Sequence, residues 1–209
     1  MRDLLKGTLK FLAAVAFVLA AVGGVLYGFF VRIVDVGHDA MAPTIVAGDE
    51  ILVWRTTDFE LGEAVLCPHP QEPGRFVLGR IVGRPGHTVE LGRGGQLSIA
   101  GERPDVDMRG TVDFYDTRRR RNQSMCWGVA NILDHTHQFM FRERRPPEMR
   151  PHEVEGGYFL LSDNRSFYGE DSRRFGEVEG SRCVGKVFMR LRAAEAPAAF
   201  ENESFELID

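Results

Sequence analysis

Gly37-His38-Asp39-Ala40-Met41-Ala42-Pro43-Thr44 is the segment that decides how the rest of the chain is read. The turn pair Gly48-Asp49 follows it, then Ile51-Leu52-Val53-Trp54, a short apolar run of the kind that forms a strand. Two later segments belong with it: FVLGRIVGRPG at 76–86 and LSDNRSFYGEDSRRFG at 161–176. The first of these holds two β-prone runs, Phe76-Val77-Leu78 and Arg80-Ile81-Val82, closed by Arg84-Pro85-Gly86. The other carries charged triplets, Asp163-Asn164-Arg165 and Asp171-Ser172-Arg173.

Working outward, the same texture recurs. Apolar runs at 64–67, 88–91, 96–99, 138–141, 158–161 and 184–189 are short and punctuated by Gly and Pro. They predict a mainly β domain of antiparallel sheets, folded as a barrel or sandwich. No long amphipathic helical pattern occurs after residue 31. Residues from about 103 to 152 differ: they hold an arginine run at 118–121 and the polar stretch RERRPPEMRPHE at 142–153. The basic run reads as a solvated loop, with attraction to anionic lipid headgroups as its functional alternative. The segment 193–209 is Ala/Pro-rich and then acidic, and is expected to be mobile.

The 209 residues carry a formal net charge of −4, so no global field points to nucleic acid. Residues 11–31, FLAAVAFVLAAVGGVLYGFFV, contain no charge. At 1.5 Å per residue such a run reaches roughly 30 Å, the thickness of a bilayer core. Arg2, Lys6 and Lys10 precede it against the single Asp3. The excess of positive charge predicts a cytoplasmic 1–10, a single membrane span at 11–31, and everything from Arg32 outside the inner membrane. The competing reading is a cleaved secretory signal, which the small pair Ala20-Ala21 would permit. Such signals have shorter apolar cores, of about 7–15 residues, so the span favours a retained anchor. Cys67, Cys126 and Cys183 would then face an oxidising compartment. One disulfide with a free thiol, or three small buried hydrophobes, both fit, and spacing selects no pair.

Together the three segments resemble the active-site framework of the bacterial signal peptidase I family. These are membrane-anchored serine proteases that remove signal peptides from exported proteins. Met41, Pro43 and Thr44 keep the family's M-x-P-T spacing, and Gly48-Asp49 with Ile51-Leu52-Val53 fits its G-D-x-I-L-V continuation. Arg80-Ile81-Val82-Gly83 and Pro85-Gly86 fit K-R-V-V-G-x-P-G without its lysine, and Asp163-Asn164-Arg165 and Asp171-Ser172-Arg173 fit D-N-R and D-S-R. The resemblance covers nearly the whole chain in the family's order. It implies an antiparallel β domain over 32–192 with an accessory β-region inserted at about 103–152. Its acidic and arginine residues would buttress the site as paired charges.

The resemblance also locates what is missing. The family's nucleophilic serine stands at Ala40, and its general-base lysine at Gly79. The hydroxyl that donates to the oxyanion, two residues before the nucleophile, is replaced by His38, leaving only the backbone N–H of residue 40. A serine nucleophile needs an adjacent base, and a lysine serves only when burial keeps it neutral. The chain has three lysines, Lys6, Lys10 and Lys186, and none lies where it could substitute. Between the two charged triplets, Ser166-Phe167-Tyr168-Gly169-Glu170 is one residue longer than the family pattern, so a serine to orient the base is not evident.

Other arrangements are weaker. His87 lies in a turn, Ser124-Met125 lacks the following Pro and Thr, and Ser162 stands where the family has glycine. A Ser162–histidine dyad is therefore not expected. His135 and His137 share a strand face beside Asp134, a two-ligand start for zinc with no third ligand fixed by spacing. No metal and no cofactor are expected. The residues thus predict a catalytically silent, membrane-anchored relative that acts by binding. Its partners would be exported preproteins, pilus or surface subunits, or an authentic signal peptidase, and degenerate relatives are known as pilus assembly factors. The rival expectation is an active peptidase with an unrecognised nucleophile.

Overall fold

In the computed structural model, which describes residues 2–92, 95–144, 147–200 and 202–208, one long helix precedes a domain built of strands. Helix α1 (Arg2–Phe30) contains Leu12–Phe30, a stretch long and apolar enough to cross a membrane, and none of it is buried against the rest of the chain. Phe17, Leu19 and Phe29 are largely exposed. Among the described residues, Phe30 at the helix's end stacks on Trp54, and an exposed apolar surface of this length is consistent with a membrane anchor.

The fold is mainly β, as the short apolar runs predict, and its strand pairs are antiparallel. The largest sheet contains β1 (Val31–Asp35), β2 (Glu50–Trp54), β3 (Ala64–Pro68), β4 (Phe76–Gly83), β11 (Phe159–Leu161) and β12 (Gly185–Arg192). Their order is β1-β2-β12-β3-β4-β11, with β13 (Glu206–Leu207) added on β12. A second sheet joins β10 (Met149–Glu153), β5 (Thr88–Leu91) and β6 (Leu97–Ile99). The third joins β7 (Asp105–Asp116), β8 (Arg121–Ile132) and β9 (His135–Arg142).

Strands β3 and β4 are covered on both faces, which is why they read as unbroken apolar runs. Alternate residues enter different cores. Leu66 and Leu78 pack with Met41, Ile45, Ile51 and Val53. Val65, Val77 and Ile81 pack with Leu160 and Phe175 on the other side. Cys67 and Cys183 lie in that second core and are joined as a disulfide, leaving Cys126 as the free thiol among the three. Arg84-Pro85-Gly86-His87 links β4 to β5 as a tight turn, with the His87 N–H donating to the Arg84 carbonyl at 2.9 Å. Pro85 supplies the fixed φ of the first corner, and Gly86, at φ +87°, the left-handed second one.

Strands β7 and β8 form a long hairpin within the stretch 103–152, where the resemblance implies an accessory β-region. Most of β7 is exposed, and charged residues Asp105, Asp107, Arg109 and Asp113 are interspersed with apolar Val106, Met108, Val112 and Phe114. The arginine run sits at the hairpin's tip and the start of β8. Near the tip the inner face of this sheet is better covered: Phe114, Met125 and Met140 pack with Ala42 and Val46 of the loop after β1. The described part of residues 193–209 makes contacts with the domain. Phe200 is 5% exposed and packs on Phe114 and Trp127, and Glu206 accepts from the buried Arg190.

Candidate functional site

The loop from 36 to 49 is held by buried polar contacts. Asp39 to Met41 form a single 3-10 turn. The Asp39 carboxylate accepts from the Ala47 N–H at 3.0 Å and from the Thr117 hydroxyl at 2.7 Å. The Ala42–Pro43 peptide is cis. The Thr44 hydroxyl donates to the Gln138 carbonyl at 2.9 Å, and the Thr44 carbonyl accepts from Arg190. Arg190 and Asp49 form a buried pair at 3.1 Å, and Asp49 also accepts the Val46 N–H at 2.9 Å. A buried pair of this kind fixes geometry because loss of either partner strands the other.

Ala40 lies at the centre of this loop, fully buried. Its carbonyl accepts from the Asn164 N–H at 2.9 Å, and the Asn164 side-chain amide donates to the Asp39 carbonyl at 3.2 Å. Its own N–H donates to His38 Nδ1 at 3.3 Å. The N–H that the sequence reading leaves as the remaining oxyanion donor is therefore occupied. The His38 ring stacks on Phe167 with centroids 5.7 Å apart, and its Nε2 faces Glu170 at 3.7 Å. Glu170 is in turn held by Arg75, which also grips Glu72 at 2.8 Å. This His38–Glu170–Arg75 chain was not foreseen. Its signal was the extra residue in the 166–170 stretch.

Strand β4 runs beside the turn, with Cα atoms within 8 Å. Gly79 is paired with Val65 across the ladder, and a β-carbon placed on it would lie 3.0 Å from Leu160 Cβ. That is tighter than ordinary van der Waals contact, so Leu160 crowds the space where a side chain at 79 would begin. The next residue, Arg80, is 1% exposed. Its Nε and Nη2 clasp the Asp163 carboxylate at 3.0 and 2.9 Å, and Nη1 donates to the Gly62 carbonyl. Lys186, the lysine of the β domain, is ion-paired with Glu63.

The two charged triplets extend this network. Asp171 caps the short helix α2 (Ser172–Phe175) and is clasped by Arg173, whose Nη2 lies 2.6 Å from its Oδ2. Asp171 also accepts the Ser162 N–H at 3.1 Å, and Ser172 Oγ accepts the Leu160 N–H at 2.8 Å. Arg173 reaches the Arg165 carbonyl at 2.6 Å. The structure thus joins Ala40, Arg80, Asp163, Asn164, Arg165, Asp171, Ser172 and Arg173 in one set of contacts. Pro85 and Gly86 lie apart, in the β4–β5 turn. Met41 is fully buried in the apolar core.

Neither alternative arrangement assembles among the described residues. Ser162 Oγ is buried with no hydrogen-bond partner, so no histidine activates it. His137 is buried with Nδ1 unpartnered. Burial, reinforced by Arg80, Arg165 and His135, holds its imidazole well below the usual histidine range. His135 lies over Gly62 and faces Glu60 at 3.6 Å. No group of three metal-ligating side chains occurs among the described residues.

This architecture, an antiparallel β domain behind an apolar helix with paired charges around the 36–49 loop, matches a recognised class. Residues 8–192 match the family described as signal peptidase, peptidase S26, and the chain belongs to that family. Among curated proteins it is 26% identical over 196 residues to signal peptidase I of Pseudomonas aeruginosa, covering 78% of this chain and 66% of that protein. It is also 26% identical over 185 residues to signal peptidase IB of Staphylococcus aureus, covering 85% of each.

Proposed function

We propose that this chain is a catalytically silent member of the signal peptidase I family that acts by binding rather than by cleavage. The occupied N–H of Ala40 carries this reading. A peptidase of this kind needs a hydroxyl, a neutral amine and donors aimed at the oxyanion. Here position 40 offers a methyl, position 79 a hydrogen crowded by Leu160, and the backbone donor is taken by His38. Loss of a nucleophile alone costs about 10⁶ in turnover in a well-studied serine protease. The remaining lysine of the domain is committed to Glu63.

The uncovered helix supports a single-pass anchor, and the charges before it support a cytoplasmic N-terminus. The Cys67–Cys183 disulfide supports an oxidising compartment for the β domain. Its partners are exported preproteins or surface subunits, or an authentic signal peptidase with which it competes. The rival reading, an active enzyme with another nucleophile, is left with a serine at 162 that is 1% exposed and unactivated.

The test is binding of a fluorescent signal peptide to the full chain in lipid nanodiscs. Saturable binding with the peptide recovered uncut is expected. A peptide recovered in two pieces, or no saturable binding, would overturn the proposal.

A further inference from the structure

We propose that a cavity between β6, β7 and β9 binds a small apolar carboxylate, whose carboxyl group pairs with the guanidinium of Arg165. The cavity measures about 370 Å³, inside the range of small-ligand sites. Leu97, Val106, Met108, Phe139 and Phe141 supply apolar walls, and the exposed Arg103 stands beside them. Among the described lining residues there is no carboxylate.

Arg165 makes this cavity a site rather than a gap. It is 2% exposed, yet lines the cavity. Three other largely buried arginines are each matched by an acid: Arg80 by Asp163, Arg173 by Asp171 and Arg190 by Asp49. Arg165 has no carboxylate within ion-pair distance among the described residues. Its side chain donates to the Gly95 carbonyl at 2.7 Å and lies 3.8 Å over the Phe139 ring. Burial pulls its guanidinium down to about 9, offset in part by the more distant Asp163 and deepened by Arg173. A guanidinium in an apolar setting that lacks its counter-ion is expensive to keep. A carboxylate entering the cavity would supply that counter-ion, and the guanidinium's planar fork suits it. The apolar body would rest on Phe139 and Phe141. Neither Ala40 nor Gly79 lines this cavity, so the inference does not rest on the proposed loss of catalysis.

The probe is 4-phenylbutyrate, with 4-phenylbutyramide as its uncharged twin. Binding to the full chain in nanodiscs is measured against empty nanodiscs. The acid should bind at least about tenfold more tightly than the amide, the value of one charge-assisted contact. Arg165→Met should abolish that preference. Because Arg165→Met may disturb folding, Val106→Glu provides the second variant: residue 106 is 43% exposed, and a carboxylate there repels the ligand. It should weaken the acid about tenfold or more with Tm unchanged. Octanoate and an acetylated apolar tripeptide acid, each with its amide, then separate a lipid source from a peptide source. Equal binding of acid and amide, binding indifferent to Val106→Glu, or no binding of any acid would overturn the proposal.

Discussion

Leu160 Cβ stands 3.0 Å from where a β-carbon on Gly79 would lie, so β11 crowds the position on β4 that corresponds to the base. A lysine at 79 must displace Leu160 or strain β4. Gly79→Lys should therefore destabilise the domain by about 1–3 kcal/mol, the usual range for overpacking. Leu160→Gly, which removes the crowding β-carbon, should be less costly in the Gly79→Lys background than in the native chain. Thermal unfolding of the four variants in a double-mutant cycle measures that coupling.

Restoring the two reactive groups is not enough to restore turnover. With Ala40→Ser and Gly79→Lys in place, the N–H of residue 40 would still donate to His38. Adding His38→Ala releases that donor, because alanine has no side-chain acceptor. The triple variant should cleave a preprotein about 10²-fold faster than the double one, the value of an oxyanion donor. Equal rates would show that His38 does not block the hole.

Arg80 and Asp163 are both almost fully buried and clasp each other. Arg80→Met alone should cost about 3–5 kcal/mol, because it leaves the Asp163 carboxylate uncompensated. Adding Asp163→Asn should recover a large part of that loss. Chemical denaturation of the single and double variants separates a paired structural role from two independent ones.

His137 predicts how stability changes with acid. Its imidazole is held neutral well below the usual range by burial and by Arg80, Arg165 and His135. The unfolded chain takes up a proton at this residue below about pH 6.5 and the folded domain does not. The neutral site's contribution is therefore intact above that pH and lost as pH falls, by up to about 1.4 kcal/mol per pH unit. His137→Gln should flatten the Tm profile between pH 6.5 and 5 relative to the native chain.

Much of the fold was legible because apolar runs such as those at 64–67 and 76–82 are covered on both faces and so read as strands. The β7–β8 hairpin was legible only as the accessory β-region that the resemblance implies, since the apolar runs singled out residue by residue skip from 96–99 to 138–141. In the tail, Phe200 packs on Phe114 and Trp127, contacts that no local pattern in 193–209 announces. At the site, motif spacing singled out residues 38, 40, 79 and 163–165. The turn of His38 onto Ala40 is local and depends on the backbone angle at His38. Spacing could not reveal that Glu170 and Arg75 stand behind His38, because those contacts join segments far apart in sequence. Nor could it pair Cys67 with Cys183, which lie 116 residues apart.

The central claim, that this domain no longer breaks peptide bonds, is tested most directly with the full chain in proteoliposomes and an exported preprotein. Signal peptidase I of Pseudomonas aeruginosa, assayed beside it, sets the time for complete processing. Mass spectrometry should find the preprotein intact with the present chain over that time. A single cut releasing the signal peptide would contradict the account.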